Sequence, residues 1–238
     1  MIGYIMTLGI LFGGYPIGVW AVGKIKRKRL FEVLFPFCTF ALYLCCVAYI
    51  AVDAGIGDWN FYNALPTANV SPFIYCLTAF IFVFPKSIRK YLYTLVALLS
   101  FGLLCAGAIT CVFNILRGYA FHWQIAIDAL IHGGVSLFGV YLVKSGRASL
   151  ERKTCLISGG IILGVAAVMM GLNAILHTSF FGLSVHGEHN IYNVVVCENG
   201  YLSAGLYFIG LCTVLAVGWL FQRLVNGKQI KRKNKEQE

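Results

Sequence analysis

Seven stretches of about twenty mostly apolar residues follow one another along this chain, at roughly 1–23, 31–52, 65–85, 91–113, 124–143, 154–176 and 200–222. About 20 such residues, wound as a helix, cross the ~30 Å hydrocarbon core of a bilayer. Only helices or closed barrels satisfy every backbone polar group there, and runs this long read as helices. The expected fold is therefore an all-α membrane protein of seven transmembrane helices. These helices use nearly all of the 238 residues. The expected organisation is one transmembrane domain over 1–226 and a basic cytoplasmic tail over 227–238. The first run has no basic residue before it and no small-x-small cleavage site after it, so it reads as a retained helix.

Orientation follows from where the charge lies. The net charge is +10, and 18 of the 19 Lys and Arg residues fall in four patches: Lys24–Arg29, Lys86–Lys90, Lys144–Lys153 and Arg223–Lys235. Only Arg117 lies elsewhere. Each patch sits beside the end of an apolar run, and seven spans bring all four to one side. Positive charge accumulates on the cytoplasmic side, which puts the N-terminus outside and the C-terminus in the cytoplasm. The expected location is the cell membrane, as a multi-pass protein among membrane lipids. The basic loops face anionic headgroups. Basic residues interleaved with aromatics, as in a nucleic-acid groove, are missing, so no nucleic-acid partner is expected. The sequence specifies no oligomeric state.

Eight of the nine cysteines fall in or beside apolar runs, where free Cys behaves as a small hydrophobe. Cys197 lies in an outer loop, with Cys111 as its one plausible partner. Glycines at small-x-x-x-small spacing (Gly9 with Gly13, Gly14 with Gly18, Gly160 with Gly164) predict close helix packing. No lysine lies inside a span to carry a retinal-type Schiff base, and no Walker-type loop is present. No cofactor is expected.

The fifth span carries the strongest chemical signal. Asp128, His132 and Ser136 recur every four residues and share one helical face. Ionisable groups inside a span are costly and face the bundle interior or a wet cavity. An Asp one turn from a His can hold the imidazole tautomer needed for general-base work. The third span begins Leu65-Pro66-Thr67-Ala68-Asn69-Val70-Ser71-Pro72, the least lipid-like start of any span, and Pro72 removes a backbone donor there. Thr67, Asn69 and Ser71 are expected at about the depth of Asp128 and His132. Thr110, Asn114, Asn173 and Ser203, with the deeper Tyr207, add polar groups to a predicted outward-facing pocket. His186-Gly187-Glu188-His189 in the last outer loop is a weak metal motif beside the helical His-Glu-x-x-His spacing, so no metal site is assigned.

Three stretches carry a family resemblance: Leu65-Pro66, the run Ile131-His132-Gly133 continuing to Tyr141-Leu142-Val143, and Gly171-Leu172-Asn173 ahead of Thr178. Together they resemble the YwaF-type bacterial integral membrane proteins, themselves similar to eukaryotic transmembrane acyltransferases and lipid-ester hydrolases. The resemblance spans roughly residues 60–222 and implies a histidine of functional weight at His132. The family tends to carry a His and a Cys soon after the Leu-Pro pair, where this chain has Ala68 and Val70. A nucleophile would then be Ser71 or, second, Thr67.

Three functions fit these residues. The first is acyl transfer or lipid-ester hydrolysis, with His132, oriented by Asp128, as base toward Ser71 or Thr67. The second is a small-solute transporter or substrate-binding subunit using the same groups, with Pro72 marking a broken helix. The third is a non-catalytic membrane assembly partner.

Overall fold

The computed structural model describes residues 2–25, 28–53, 70–176, 180–182 and 200–235, without the side chains of 50–53, 200–204 and 227–235. The helices are α1 (Ile2–Val22), α2 (Lys28–Asp53), α3 (Val70–Phe80), α4 (Lys86–Leu116), α5 (Trp123–Lys144), α6 (Arg152–Leu176) and α7 (Gly200–Lys235), with single 3-10 turns at Ile81–Val83 and Phe180–Gly182. Among the described residues there is no strand. Six helices are long and apolar enough to cross a membrane: α1, α2, α4, α5, α6 and, within α7, Gly205–Asn226. The third expected span appears as a shorter apolar helix, Val70–Val83. The architecture is that of a multi-pass helical membrane protein.

Local chemistry sets the sharpest helix ends. Glycine adopts a left-handed conformation at no steric cost, and Gly118 (φ 66°) and Gly146 (φ 76°) both do so. At Gly118, Tyr119 donates back to the Asn114 carbonyl at 3.1 Å and Gly118 to that of Ile115 at 3.0 Å. At Gly146, Arg147 donates to Leu142 at 2.9 Å and Gly146 to Val143 at 3.1 Å. These paired bonds are the Schellman closure, which satisfies the last carbonyls of a helix. They fix the ends of α4 and α5.

Those two helices form the centre. About two-thirds of each span is buried (61% of α4, 67% of α5), against about a fifth of α1, α2, α6 and α7. Peripheral helices instead present Phe12, Ile17, Leu156, Val168, Ile175 and Leu224 outward. In water such a surface would be an aggregation hazard, whereas hydrocarbon solvates it.

Glycine also governs how closely the centre packs, though not at the predicted pairs. A Cβ on Gly107 would lie 2.8 Å from the Ala129 carbonyl, and one on Gly139 would lie 2.7 Å from the Ser100 Cβ, so α4 and α5 touch backbone to backbone. Gly218 of α7 packs on the Leu98 carbonyl of α4, and Gly133 faces Leu11 of α1. By contrast, a Cβ on Gly9, Gly13, Gly14, Gly160 or Gly164 would meet nothing within 4 Å, and of the predicted glycines only Gly18 abuts a neighbour, Leu137. The spacing motif identified small-residue stripes, but most of them face away from the bundle.

At the basic end, side chains tie the helices to the loops. Glu32 accepts from Arg147 Nε at 2.9 Å and from the Tyr141 hydroxyl at 3.0 Å, and this pairing raises the Arg147 pKa. Arg89 donates to the carbonyls of Phe84 (2.9 Å) and Phe82 (2.8 Å), Trp219 to Leu150 (3.2 Å), and Lys144 to Val19. Several basic groups are therefore engaged within the protein.

Candidate functional site

α3 and α5 meet through their polar faces. On α3, Ser71 and Tyr75 are one turn apart, so both side chains point the same way. Pro72 lies two residues into the described part of α3 and is buried. On α5, His132 sits near mid-helix and is 6% exposed. Its Nε2 lies 3.0 Å from Ser71 Oγ, and its Nδ1 lies 2.6 Å from the Tyr75 hydroxyl. The Tyr75 ring stands edge-on to the imidazole at 5.4 Å between centroids, with Tyr43 of α2 packed on its other side at 5.4 Å. Behind His132, a Cβ on Gly107 would come within 3.0 Å of the His132 Cβ, so α4 backs the imidazole closely.

Asp128 relates to the imidazole differently from expectation. Its carboxylate Oδ2 is 3.5 Å from Nδ1, beyond a good hydrogen bond, and its side chain is 37% exposed. The nearer contacts of Nδ1 are the Asp128 backbone carbonyl, at 2.8 Å, and Tyr75. Tyr75, which the sequence reading passed over, therefore stands closer to the imidazole than the acidic group does. Its signal was available: four residues after Ser71, it shares that face of α3.

This geometry gives partners to both neutral tautomers, but only the Nδ1–H form pairs the Asp128 carbonyl; in the Nε2–H form that oxygen faces the Nδ1 lone pair at 2.8 Å. With the proton on Nδ1, the ring donates to the Asp128 carbonyl, and Nε2 can accept the Ser71 proton. With the proton on Nε2, the ring donates to Ser71 while the Tyr75 hydroxyl donates to Nδ1. The first arrangement is that of a general base beside a hydroxyl nucleophile; the second holds Ser71 as an acceptor.

Among the described residues, Ser136, Thr110, Asn114 and Asn173 do not gather here. Successive positions four apart turn about 40° around a helix of 3.6 residues per turn. Ser136 has accordingly rotated toward α1, where its Oγ lies 2.7 Å from the Tyr15 hydroxyl. Thr110 donates to the Ala106 carbonyl at 3.0 Å and Asn114 to the Thr110 carbonyl at 2.8 Å, each within α4. Asn173 braces the turn at Phe180, donating to its carbonyl and accepting from its N–H, both at 2.8 Å. Thr67, Asn69, His186, Glu188, His189 and Cys197 lie outside the described residues, as does the Ser203 side chain. Among the described residues, no cluster of three or more His, Cys, Asp or Glu side chains could hold a metal.

Beside Ser71 lies a cavity of about 510 Å³ between α4 and α7. Gly102 and Ala106 of α4 and Tyr207, Gly210 and Val214 of α7 line it, and Ser71 forms part of its wall. Its lining is mainly apolar. Of the predicted pocket residues, Tyr207 shares this cavity with Ser71. Comparison of the chain with family models, curated proteins and solved structures gives no match.

Proposed function

We propose that the protein is an acyl-handling enzyme of the cell membrane, in which Ser71 is the nucleophile and His132 its base. The observation that carries this reading is the 3.0 Å contact between Ser71 Oγ and His132 Nε2 at the edge of an apolar cavity. A hydroxyl is a weak nucleophile until an adjacent base takes its proton, and this base is held from behind by Gly107 and from the side by Tyr75. In the proposed reaction, Ser71 Oγ attacks an ester carbonyl as its proton passes to Nε2. The carbon–oxygen bond to the leaving alcohol breaks, and His132 returns the proton to that alcohol. The acyl-serine ester is then released to water in hydrolysis, or to a second alcohol in transfer.

The same reading takes the chain as a seven-span member of the YwaF-type group, with α3 as the short seventh span. The N-terminus is outside, and the basic end lies against anionic cytoplasmic headgroups. The apolar cavity favours a lipid ester over the polar solute of a transporter, since desolvating polar groups into such a lining is costly.

Activity-based labelling tests the assignment. The purified full-length chain, treated with a serine-reactive fluorophosphonate, is expected to carry the adduct on Ser71. Labelling should disappear in Ser71→Ala and fall by about 10²–10⁴-fold in His132→Gln, the usual worth of a general base. Equal labelling of wild type and His132→Gln would remove the catalytic reading. Unchanged labelling in Ser71→Ala would move the nucleophile elsewhere, with Thr67 next in order.

A further inference from the structure

The cavity beside Ser71 has a defined shape. α4 and α7 run antiparallel, and two contacts fix their register: Gly218 against the Leu98 carbonyl, and Gly102 against Val214, whose Cγ1 would lie 2.5 Å from an added Cβ. Residue numbers facing each other across this pair therefore sum to about 316, which sets Ala106 opposite Gly210. A Cβ on Gly210 would meet nothing within 4 Å. The helices touch at Leu98–Gly218 and at Gly102–Val214, and an added Cβ at Gly210 meets no neighbour, so the space between them forms a wedge that is closed at Leu98–Gly218 and wider at Gly210.

The wedge is lined from Leu99 and Val217 near the vertex to Ile109 and Leu206 at the mouth. Apart from Ser71 and Tyr207, the hydroxyl it meets is that of Thr213, which donates to the Ile209 carbonyl of its own helix at 2.9 Å. Both walls belong to helices long and apolar enough to span the bilayer. The solvent around them is hydrocarbon, so the chemistry that fills the wedge is a lipid tail. At roughly 30 Å³ for a water-sized group, the ~510 Å³ volume holds about as many groups as one acyl chain has carbons.

The reacting pair sits partway along this wedge. Gly107 abuts His132, so the imidazole is level with position 107 of α4. From there to Leu98 is nine residues, about 13 Å at 1.5 Å per residue. One leaflet of the hydrocarbon core is about 15 Å deep.

We infer that the α4–α7 wedge is a binding slot for a single hydrocarbon chain of a bilayer lipid, with the chain carbonyl level with Ser71 and the terminal methyl at the Leu98–Gly218 vertex. The carbonyl placement rests on the acyl-handling reading; the occupancy of the slot does not. The vertex then acts as a stop. Chains up to about 13 Å long seat fully between Ser71 and the vertex, and longer ones cannot.

Photocrosslinking of the full-length chain in phosphatidylcholine vesicles tests this, using a trace of phosphatidylcholine with a diazirine at the end of one acyl chain. The expected adducts concentrate at residues 98–102 and 214–218. Gly210→Leu fills the open space without a backbone collision and should reduce these adducts at least about tenfold, a loss of about 1.4 kcal/mol of binding; Ala106→Leu, from the opposite wall, should do the same. Val168→Ala, on the outward face of α6, should leave them unchanged. Adducts spread evenly over the outward faces of α1, α2 and α6, or indifferent to both leucine substitutions, overturn the slot. Vertex adducts in a protein whose Ser71 never takes a fluorophosphonate sustain the slot and sink the catalytic reading.

Discussion

The two halves of α7 meet α4 in opposite ways. Beyond Gly218 the helices are bolted together by amides. Gln222, fully buried, donates to Ser100 Oγ at 2.7 Å and to the Ala97 carbonyl at 3.1 Å, and Asn226 donates to Gln222 Oε1 at 2.9 Å. Before Gly218 the same two helices touch again at Gly102–Val214 and then leave a cavity between them, and the imidazole and hydroxyl that meet at its wall, His132 and Ser71, belong to α5 and α3. Both clusters are polar, both lie within the bundle, and only one is built from groups that can exchange a proton. A polar side chain inside a membrane protein is therefore not evidence of chemistry by itself. Amides that pair with each other, with backbone and with a serine hydroxyl on the facing helix hold helices together. An imidazole that faces a hydroxyl at the wall of a cavity has somewhere to deliver its proton.

Mutations at the two ends should separate these roles. The largest effect belongs to His132→Gln in the open half: a loss of about 10²–10⁴-fold in fluorophosphonate labelling of Ser71, read with the folded fraction held constant by a thermal melt. Gln222→Leu, in the bolted half, should reverse the pattern. It is expected to cost about 1–2 kcal/mol of stability by denaturant titration and to leave labelling per folded molecule unchanged. A loss of labelling at full stability in Gln222→Leu would erase the distinction between the halves.

Smaller changes sharpen it. Tyr75→Phe removes the donor that supports the Nε2–H tautomer, leaving Nδ1–H and a free Nε2 beside Ser71. Labelling should rise by up to about fivefold, since one hydrogen bond contributes about 1 kcal/mol. A fall instead would mean that Nδ1 donates to the phenol. Asp128→Asn should matter least, shifting labelling by less than about fivefold, because a pair 3.5 Å apart whose carboxylate is 37% exposed contributes about 0–1 kcal/mol. A loss comparable to that of His132→Gln would restore the carboxylate as the orienting group.

Much of this architecture was legible in the amino-acid order. Long apolar runs gave six spans within a few residues of their ends, because a bilayer imposes a minimum length that no other environment does. The stripe of Asp128, His132 and Ser136 was legible too, since helical periodicity alone puts them on one side. What that stripe touches was not, because each four-residue step rotates the face and hands Ser136 to α1 and His132 to α3. Tyr75 escaped because an aromatic ring in an apolar run reads as packing until its hydroxyl is seen to meet a nitrogen. The outward-facing glycines show the same limit: spacing reports that two residues share a side, not which side faces a neighbour. The wedge was the least legible feature, since it arises from the angle between two helices rather than from any local pattern.

Gly107 joins these parts. It lets α4 lie against the Cβ of His132, while Ala106, the next residue, lines the wedge. One rod thus forms the back of the imidazole and the wall of the slot. A methyl group at position 107 would push on His132, and a bulky group at 106 would push on whatever fills the slot. Turning or sliding α4 would change the spacing to Ser71 and the width of the opening together, as a hinge pin moves both leaves of a door.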